Sequence, residues 1–200
     1  VTGAPRCFLD ANVLVSTWAT DVFLTLAEEG LVEPRWSRAV LGEAKRAFQR
    51  MHREGEWADR YLAEISSAFP HATVDADAGY PAALGLPDPG DLHVVAAAKA
   101  GGCPVIVTYN LKDFPADILH PMGIRAEHPD EFLVSVAELD PEKVFSVVCR
   151  LVAAKRHPPR SLEEEIGGLR AVRLVRFAGM IEDFGVGRRQ YGILGPRRNL

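Results

Sequence analysis

The sequence predicts an α/β fold, with a mostly parallel central sheet flanked by helices and a C-terminal helical extension. Three observations carry this. Short apolar, β-branched runs alternate with amphipathic stretches over roughly the first 140 residues, which is the pattern of βα units stacked into a parallel sheet. Beyond Asp140-Pro141 the strand signal stops and only helical periodicity remains. The 200 residues, 48% hydrophobic and 25% charged, are enough for one folded domain of about 100–150 residues plus an appendage.

The elements follow in order. Arg6-Cys7-Phe8-Leu9-Asp10 reads as a short buried strand that ends in a carboxylate. Residues 13–30 have helical spacing, with Val22, Phe23 and Leu26 on one face and Gly30 as the stop. Residues 31–36 form a second short strand. Pro34 makes it an edge or a strand end, because proline cannot donate to an interior ladder. Ser37 is a good N-cap for a helix over 38–53. Another helix covers 57–69, and 71–74 forms a short connector or strand. Residues 81–90, with Pro81, Pro87, Pro89, Gly85 and Gly90, form a loop. Asp91 caps a helix over 92–100, and Gly101-Gly102 stops it. Residues 104–108 give the strongest strand signal, with Val105, Ile106, Val107 and Thr108 all β-branched. Residues 124–127 form a last short strand, and Pro129-Asp130 open a helix through Ala137.

In the extension, 144–154 and 162–177 are amphipathic, separated by His157-Pro158-Pro159-Arg160. Ser161 and Glu164 have capping-box spacing. Residues 141–183 therefore read as a helical hairpin packed on the α/β body. Residues 185–200, rich in glycine and arginine, read as a loose basic tail. The domain reading is 1–140 for the α/β body, 141–184 for the helical extension and 185–200 for the tail. No internal repeat is present.

The net charge of −4 hides an asymmetry. Residues 1–141 hold 11 Lys and Arg against 21 Asp and Glu, a balance of −10, which leaves 12 against 6, or +6, for 142–200. An acidic body suits divalent cations, and a basic end suits nucleic acid or an acidic partner; a solvated helical surface explains the basic end equally well. No apolar run reaches the roughly 18 residues a membrane span needs. The N-terminal stretch has no signal-peptide pattern, so a cytoplasmic location is expected. Cys7, Cys103 and Cys149 lack C-x-x-C spacing, so reduced, mostly buried thiols are expected rather than a zinc site or a disulfide framework.

In an open parallel sheet, ligands bind beyond the carboxyl ends of the strands. Asp10 ends the first strand, Asp91 begins the helix before the Val105 strand, and Asp113 follows the turn after it. Glu43 lies mid-helix among small and apolar residues. Taken singly, Asp91 reads as an N-cap, Asp113 as a turn residue and Glu43 as a helix-surface residue. Taken together, carboxylates brought close raise one another's pKa values and call for a cation. Mg2+ and Mn2+ prefer such hard oxygen ligands.

Four segments in order resemble the motifs of PIN-domain nucleases. Phe8-Leu9-Asp10-Ala11-Asn12-Val13-Leu14 resembles the opening D-x-N motif. Trp36-Ser37-Arg38-Ala39-Val40-Leu41-Gly42-Glu43 resembles the second motif, which ends in an acid. Asp88-Pro89-Gly90-Asp91-Leu92-His93 and the apolar run after it resemble the third, and Val107-Thr108-Tyr109-Asn110-Leu111-Lys112-Asp113-Phe114 the fourth. The resemblance is nearest to VapC-like toxins of toxin–antitoxin pairs. Some members carry a helical C-terminal extension after a His-Pro-Asp-Glu-Phe segment, here 128–132.

The resemblance implies a PIN-like three-layer fold and a metal-dependent endoribonuclease. Asp10, Glu43, Asp91 and Asp113 would hold one or two Mg2+ or Mn2+ ions, and water would attack the scissile phosphate to leave a 3′-hydroxyl and a 5′-phosphate. Asn12, Ser37, Thr108 and Asn110 would support the site. Many relatives carry an acid near position 110 as well, so the amide at Asn110 leaves open one metal or two. Asp88 is a fifth ligand or a turn residue at the rim. His93 is a proton donor, a phosphate contact or a packed side chain, and His128 belongs to a turn. Arg46, Arg50, Arg53 and His93 are candidate RNA contacts, although the arginines also suit a solvated face. A cognate antitoxin, an RNA substrate and a homodimer are the implied partners. On this reading Asp10→Asn keeps the fold, relieves repulsion in the metal-free protein and cuts cleavage by orders of magnitude. Two other readings compete: a catalytically inactive PIN-fold scaffold or RNA-binding module, and a metal-dependent phosphatase with Asp10 as nucleophile.

Overall fold

The computed structural model of the chain describes residues 3–51, 55–76, 84–156 and 158–190. Two compact units divide between Pro129 and Asp130. The first contains β1 (Arg6–Leu9), α1 (Ala11–Val15), α2 (Thr17–Glu28), β2 (Glu33–Arg35), α3 (Arg38–Arg50) and α4 (Gly55–Ala68). A 3-10 turn (Pro89–Asp91), α5 (Leu92–Ala100), β3 (Val105–Val107), a second 3-10 turn (Leu111–Asp113), α6 (Ala116–Leu119) and β4 (Arg125–Glu127) follow.

The four strands form one parallel sheet in the order β2-β1-β3-β4, flanked by helices. β1 and β3 lie at its centre, in register with Cys7 opposite Val105 and Leu9 opposite Val107. Both read as unbroken apolar runs because central parallel strands are covered on both faces, and Cys7, Phe8, Leu9, Ile106 and Val107 are fully or almost fully buried. Pro34 occupies the edge strand β2, where no interior ladder bond is lost. From β1 the chain first builds outward to β2, then returns to place β3 on the other side of β1. This reversal makes a switch point between β1 and β3, where α/β sheets open a crevice at the carboxyl ends of their strands.

The helix expected over 13–30 is two helices. Ser16 leaves helical geometry, and the Thr20 hydroxyl donates to the carbonyls of Val13 and Leu14 at the end of α1. These last carbonyls of α1 therefore find a buried side-chain donor in place of a continuing helix, Val13 O also accepting from Ser16 N. Gly30, at φ +67, lets Leu31 N reach back to Leu26 O and closes α2 as expected. Ser37 caps α3, its Oγ accepting from Val40 N at 3.2 Å. The 71–74 connector makes a single parallel bridge, Trp36 with Thr73.

The second unit contains α7 (Pro129–Leu139), α8 (Pro141–Ala154), α9 (Leu162–Ala171) and α10 (Val175–Gln190). α7, assigned to the first domain by the sequence reading, thus groups with the C-terminal helices from Asp130 onward. Ser161 and Glu164 form the expected capping box. The helix expected over 162–177 is interrupted: Arg173 adopts φ +67, and α10 starts anew at Val175. The buried Asp130 carboxylate caps that new start, accepting from Arg176 N at 3.0 Å and Phe177 N at 2.9 Å. Residues 185–190, expected to be loose, continue α10, and 191–200 lie outside the described residues. All three cysteines are free, with Cys7 and Cys103 buried. Burial pushes both thiols up, that of Cys103 to about 11. Among the described residues, no helix is long and apolar enough to cross a membrane.

Candidate active site

Asp10 and Thr108 leave β1 and β3 side by side, at the switch point. Asp10 N continues the ladder to Val107 O, and Thr108 N continues it to Glu127 O. Their side chains meet. The Thr108 hydroxyl donates to Asp10 Oδ2 at 2.7 Å. Asn12 Nδ2 donates to the same Asp10 Oδ2 at 2.7 Å and to Thr108 Oγ1 at 2.9 Å, while its Oδ1 accepts from Tyr109 N at 3.1 Å. Asn110 N also donates to Thr108 Oγ1, at 3.0 Å. Asp10 Oδ1 accepts from Ala11 N at 2.6 Å. A buried carboxylate is tolerated when donors surround it. Burial raises the Asp10 carboxyl above its ordinary value, against the lowering effect of the Thr108 and Ala11 bonds.

Glu43 projects from α3, and His93 Nε2 from α5 lies 2.9 Å from its Oε1. Arg46 is 3.8 Å from the same oxygen. Asp113 ends the second 3-10 turn, and the Asn110 side-chain amide donates to its Oδ2.

Asp91 occupies the N-cap position of α5, yet its side chain makes no capping bond, which corrects the expected N-cap role. Asp88 takes the local turn role instead, its Oδ1 accepting from Gly90 N at 2.7 Å. Burial, then repulsion from Asp10, Asp88, Asp113 and Glu43, push the Asp91 carboxyl up to about 6. Its negative charge is thus uncompensated by local hydrogen bonds and opposed by four other acids.

Asp10, Glu43, Asp91 and Asp113 line a single cleft of about 510 Å3, with the exposed Asp88 on its wall. Asn12 and Asn110 line it too, as do Arg46 and Arg50 from α3. Ala11, Val15 and Ala47 complete its walls. Among the described residues, no three His, Cys, Asp and Glu side chains close into a metal-ligand cluster. Asp10, Glu43 and Asp113 are each engaged by a neighbouring side chain, Thr108, His93 and Asn110 respectively. Ser37 lies at the start of α3 as its cap, on the helix that carries Glu43. His128 packs edge-on against Tyr109, with ring centroids 5.0 Å apart. Arg53 lies outside the described residues.

A family model described as PIN domain matches residues 6–112, more than half of the chain. The chain belongs to the PIN-domain family. A second family model, described as VapC50 C-terminal domain, matches residues 129–183, which covers α7 to α9 and the first half of α10. A protein of Mycobacterium tuberculosis named "Putative ribonuclease VapC50" is 46% identical over 69 residues, 34% of this chain and 41% of that protein. The match therefore spans less than half of the relative's length. No solved structure gives a significant match. The two matched segments agree in order and extent with a VapC-like PIN domain followed by a helical C-terminal extension.

Proposed function

We propose that the chain is a Mg2+- or Mn2+-dependent endoribonuclease, the toxin of a VapBC-like toxin–antitoxin pair. The observation that carries this is that Asp10, Glu43, Asp91 and Asp113 line one cleft of a PIN-type domain. Burial and the neighbouring acids push the Asp91 carboxyl up, in keeping with that crowding. Such a charge set is compensated by a hard divalent cation. The oxygen-only chemistry of Asp10, Glu43, Asp91 and Asp113 fits Mg2+ or Mn2+, and those four residues would hold it. When bound, the ion supplies charge stabilisation on the phosphate and an activated water.

The chain's own residues do the rest. Thr108 and Asn12 fix the Asp10 carboxylate, and Asn110 fixes Asp113. Asp88 stays at the rim, committed to its turn. Arg46 and Arg50, on the cleft wall, would bind RNA phosphates on either side of the scissile bond. The same acidic cleft is suited to a basic side chain from an antitoxin, which would neutralise it and keep RNA out. A cytoplasmic location and a homodimer accord with this role.

Two assays test the reading. The purified chain should cleave RNA in the presence of Mg2+ or Mn2+ and leave a small phosphate ester such as p-nitrophenyl phosphate intact. Turnover of the ester with no RNA cleavage would favour a phosphatase, and neither activity would favour a scaffold. Co-expression with the adjacent reading frame should yield a complex in which RNA cleavage is lost. Active, freely recovered and harmless protein would remove the toxin role and leave the nuclease.

A further inference from the structure

We infer that His93 is a positioning residue for cation binding, acting through its Nε2 hydrogen bond to Glu43; this rests on reading Glu43 and Asp91 as ligands. His93 lies on the first turn of α5, two residues after Asp91, and Glu43 lies on α3, 50 positions earlier in the chain. The bond thus ties together the two helices that present two of the four acids.

Three features suit His93 to this task. First, Glu43 has little else to hold it. Arg46 is at 3.8 Å and is largely exposed, so it restrains the carboxylate weakly. An unrestrained glutamate would lose its rotamer freedom on binding an ion, at a cost in affinity. Second, both contacts fall on Oε1, which leaves Oε2 as the oxygen turned to other duty. Third, His93 Nδ1 is buried without a hydrogen-bond partner. The arrangement that leaves no buried N–H unpaired puts the proton on Nε2, where it donates to Glu43, and a bare lone pair on Nδ1. A donor on α5 thereby fixes the orientation of a carboxylate that projects from α3. Partners of this kind, one step behind a ligand, typically change metal affinity 10- to 100-fold.

The test is Mn2+ titration of the full chain by calorimetry, with thermal melting of the metal-free protein alongside. His93→Phe keeps the ring volume and removes the donor. His93→Asn keeps polarity but is too short to reach Glu43. His93→Gln places an amide N–H near the position of Nε2. The Phe and Asn variants should bind Mn2+ roughly tenfold more weakly or worse, and the Gln variant should stay within about threefold of the parent. Either of the first two suffices if the other does not fold. Equal Mn2+ affinity in parent, Phe and Asn variants overturns the role of His93 and leaves the cation site standing. Equal loss in the Gln and Phe variants also overturns it, since packing and not the bond would then matter. A parent that binds no Mn2+ removes the cation site itself, and His93's role with it.

Discussion

The Thr108 hydroxyl donates to Asp10 Oδ2 at 2.7 Å, joining the ends of two neighbouring parallel strands across 98 positions of sequence. The same oxygen of Thr108 accepts from Asn12 and from Asn110 N, so one small side chain serves three polar partners in a buried place. Thr108→Val keeps the shape and removes all three bonds. Two half-buried donors and the Asp10 carboxylate each lose a partner, and the protein should lose about 1–3 kcal/mol in urea unfolding. The Asp10 carboxyl should rise further, because the Thr108 bond is the largest influence holding it down.

Relief of repulsion should show more plainly at Asp91 than at Asp10, where the relief expected from sequence is offset by disrupted hydrogen bonds. Asp10 accepts from Ala11 N, Asn12 Nδ2 and Thr108, so an amide there would turn its own N–H groups toward donors. Asp91 makes no capping bond and faces four other acids. In the absence of metal, Asp91→Asn should raise the melting temperature and Asp10→Asn should lower it or leave it unchanged. With either variant, RNA cleavage should fall by about two orders of magnitude or more, since a neutral amide is a poor ligand for a hard cation. Calorimetric melts in EDTA, paired with cleavage assays, check both halves.

The pH dependence of the metal-free protein should carry the mark of Asp91. Its folded value of about 6 lies above the ordinary 3.8, so the folded state binds the proton more tightly than the unfolded chain. The resulting stabilisation is complete below about 3.8 and is lost as pH rises through about 6. Subtracting the melting profile of Asp91→Asn from that of the parent should therefore give a curve that falls from pH 4 to pH 6 and then levels, modest in height because the group is partly solvated. Divalent cations compete with that proton, so Mn2+ affinity should weaken as pH drops below about 6. A flat difference curve would mean that burial and repulsion do not raise the Asp91 carboxyl.

The helical unit has its own test. Asp130 is buried and satisfies two backbone N–H groups at the start of α10, whereas Ser161 caps α9 at the surface. Asp130→Ala should cost about 2 kcal/mol and Ser161→Ala about 1 kcal/mol in denaturant unfolding. Equal costs would show that the remote cap contributes no more than the local one.

What could be read from the chain depended on whether the cause was local. Ser37, Gly30 and the Ser161-Glu164 box act within a few residues, and each marked its helix end correctly. The apolar runs of β1 and β3 announced buried strands, but their adjacency follows from the sheet order, which no local signal contains. The two helix breaks were illegible for the same reason. Thr20 terminates α1 by reaching back to its carbonyls, and Asp130 starts α10 from 46 positions away. At the cleft, motif order brought Asp10, Glu43, Asp91 and Asp113 to notice, and the fold places all four on one wall system. The partner of His93 was hidden, because a histidine two residues past an aspartate gives no hint that its ring turns toward a different helix.

The most direct measurement is cleavage of a labelled RNA by the purified chain, with and without chelation and with end-group analysis of the products. EDTA should abolish cleavage, and Mg2+ or Mn2+ should restore it, with Ca2+ a poor substitute because of its looser geometry. Products should carry 5′-phosphate and 3′-hydroxyl ends, as expected when water attacks the phosphorus. Cleavage that persists in EDTA, or products ending in 2′,3′-cyclic phosphate, would mean that the ribose 2′-hydroxyl is the nucleophile and that the four carboxylates do not hold a catalytic cation.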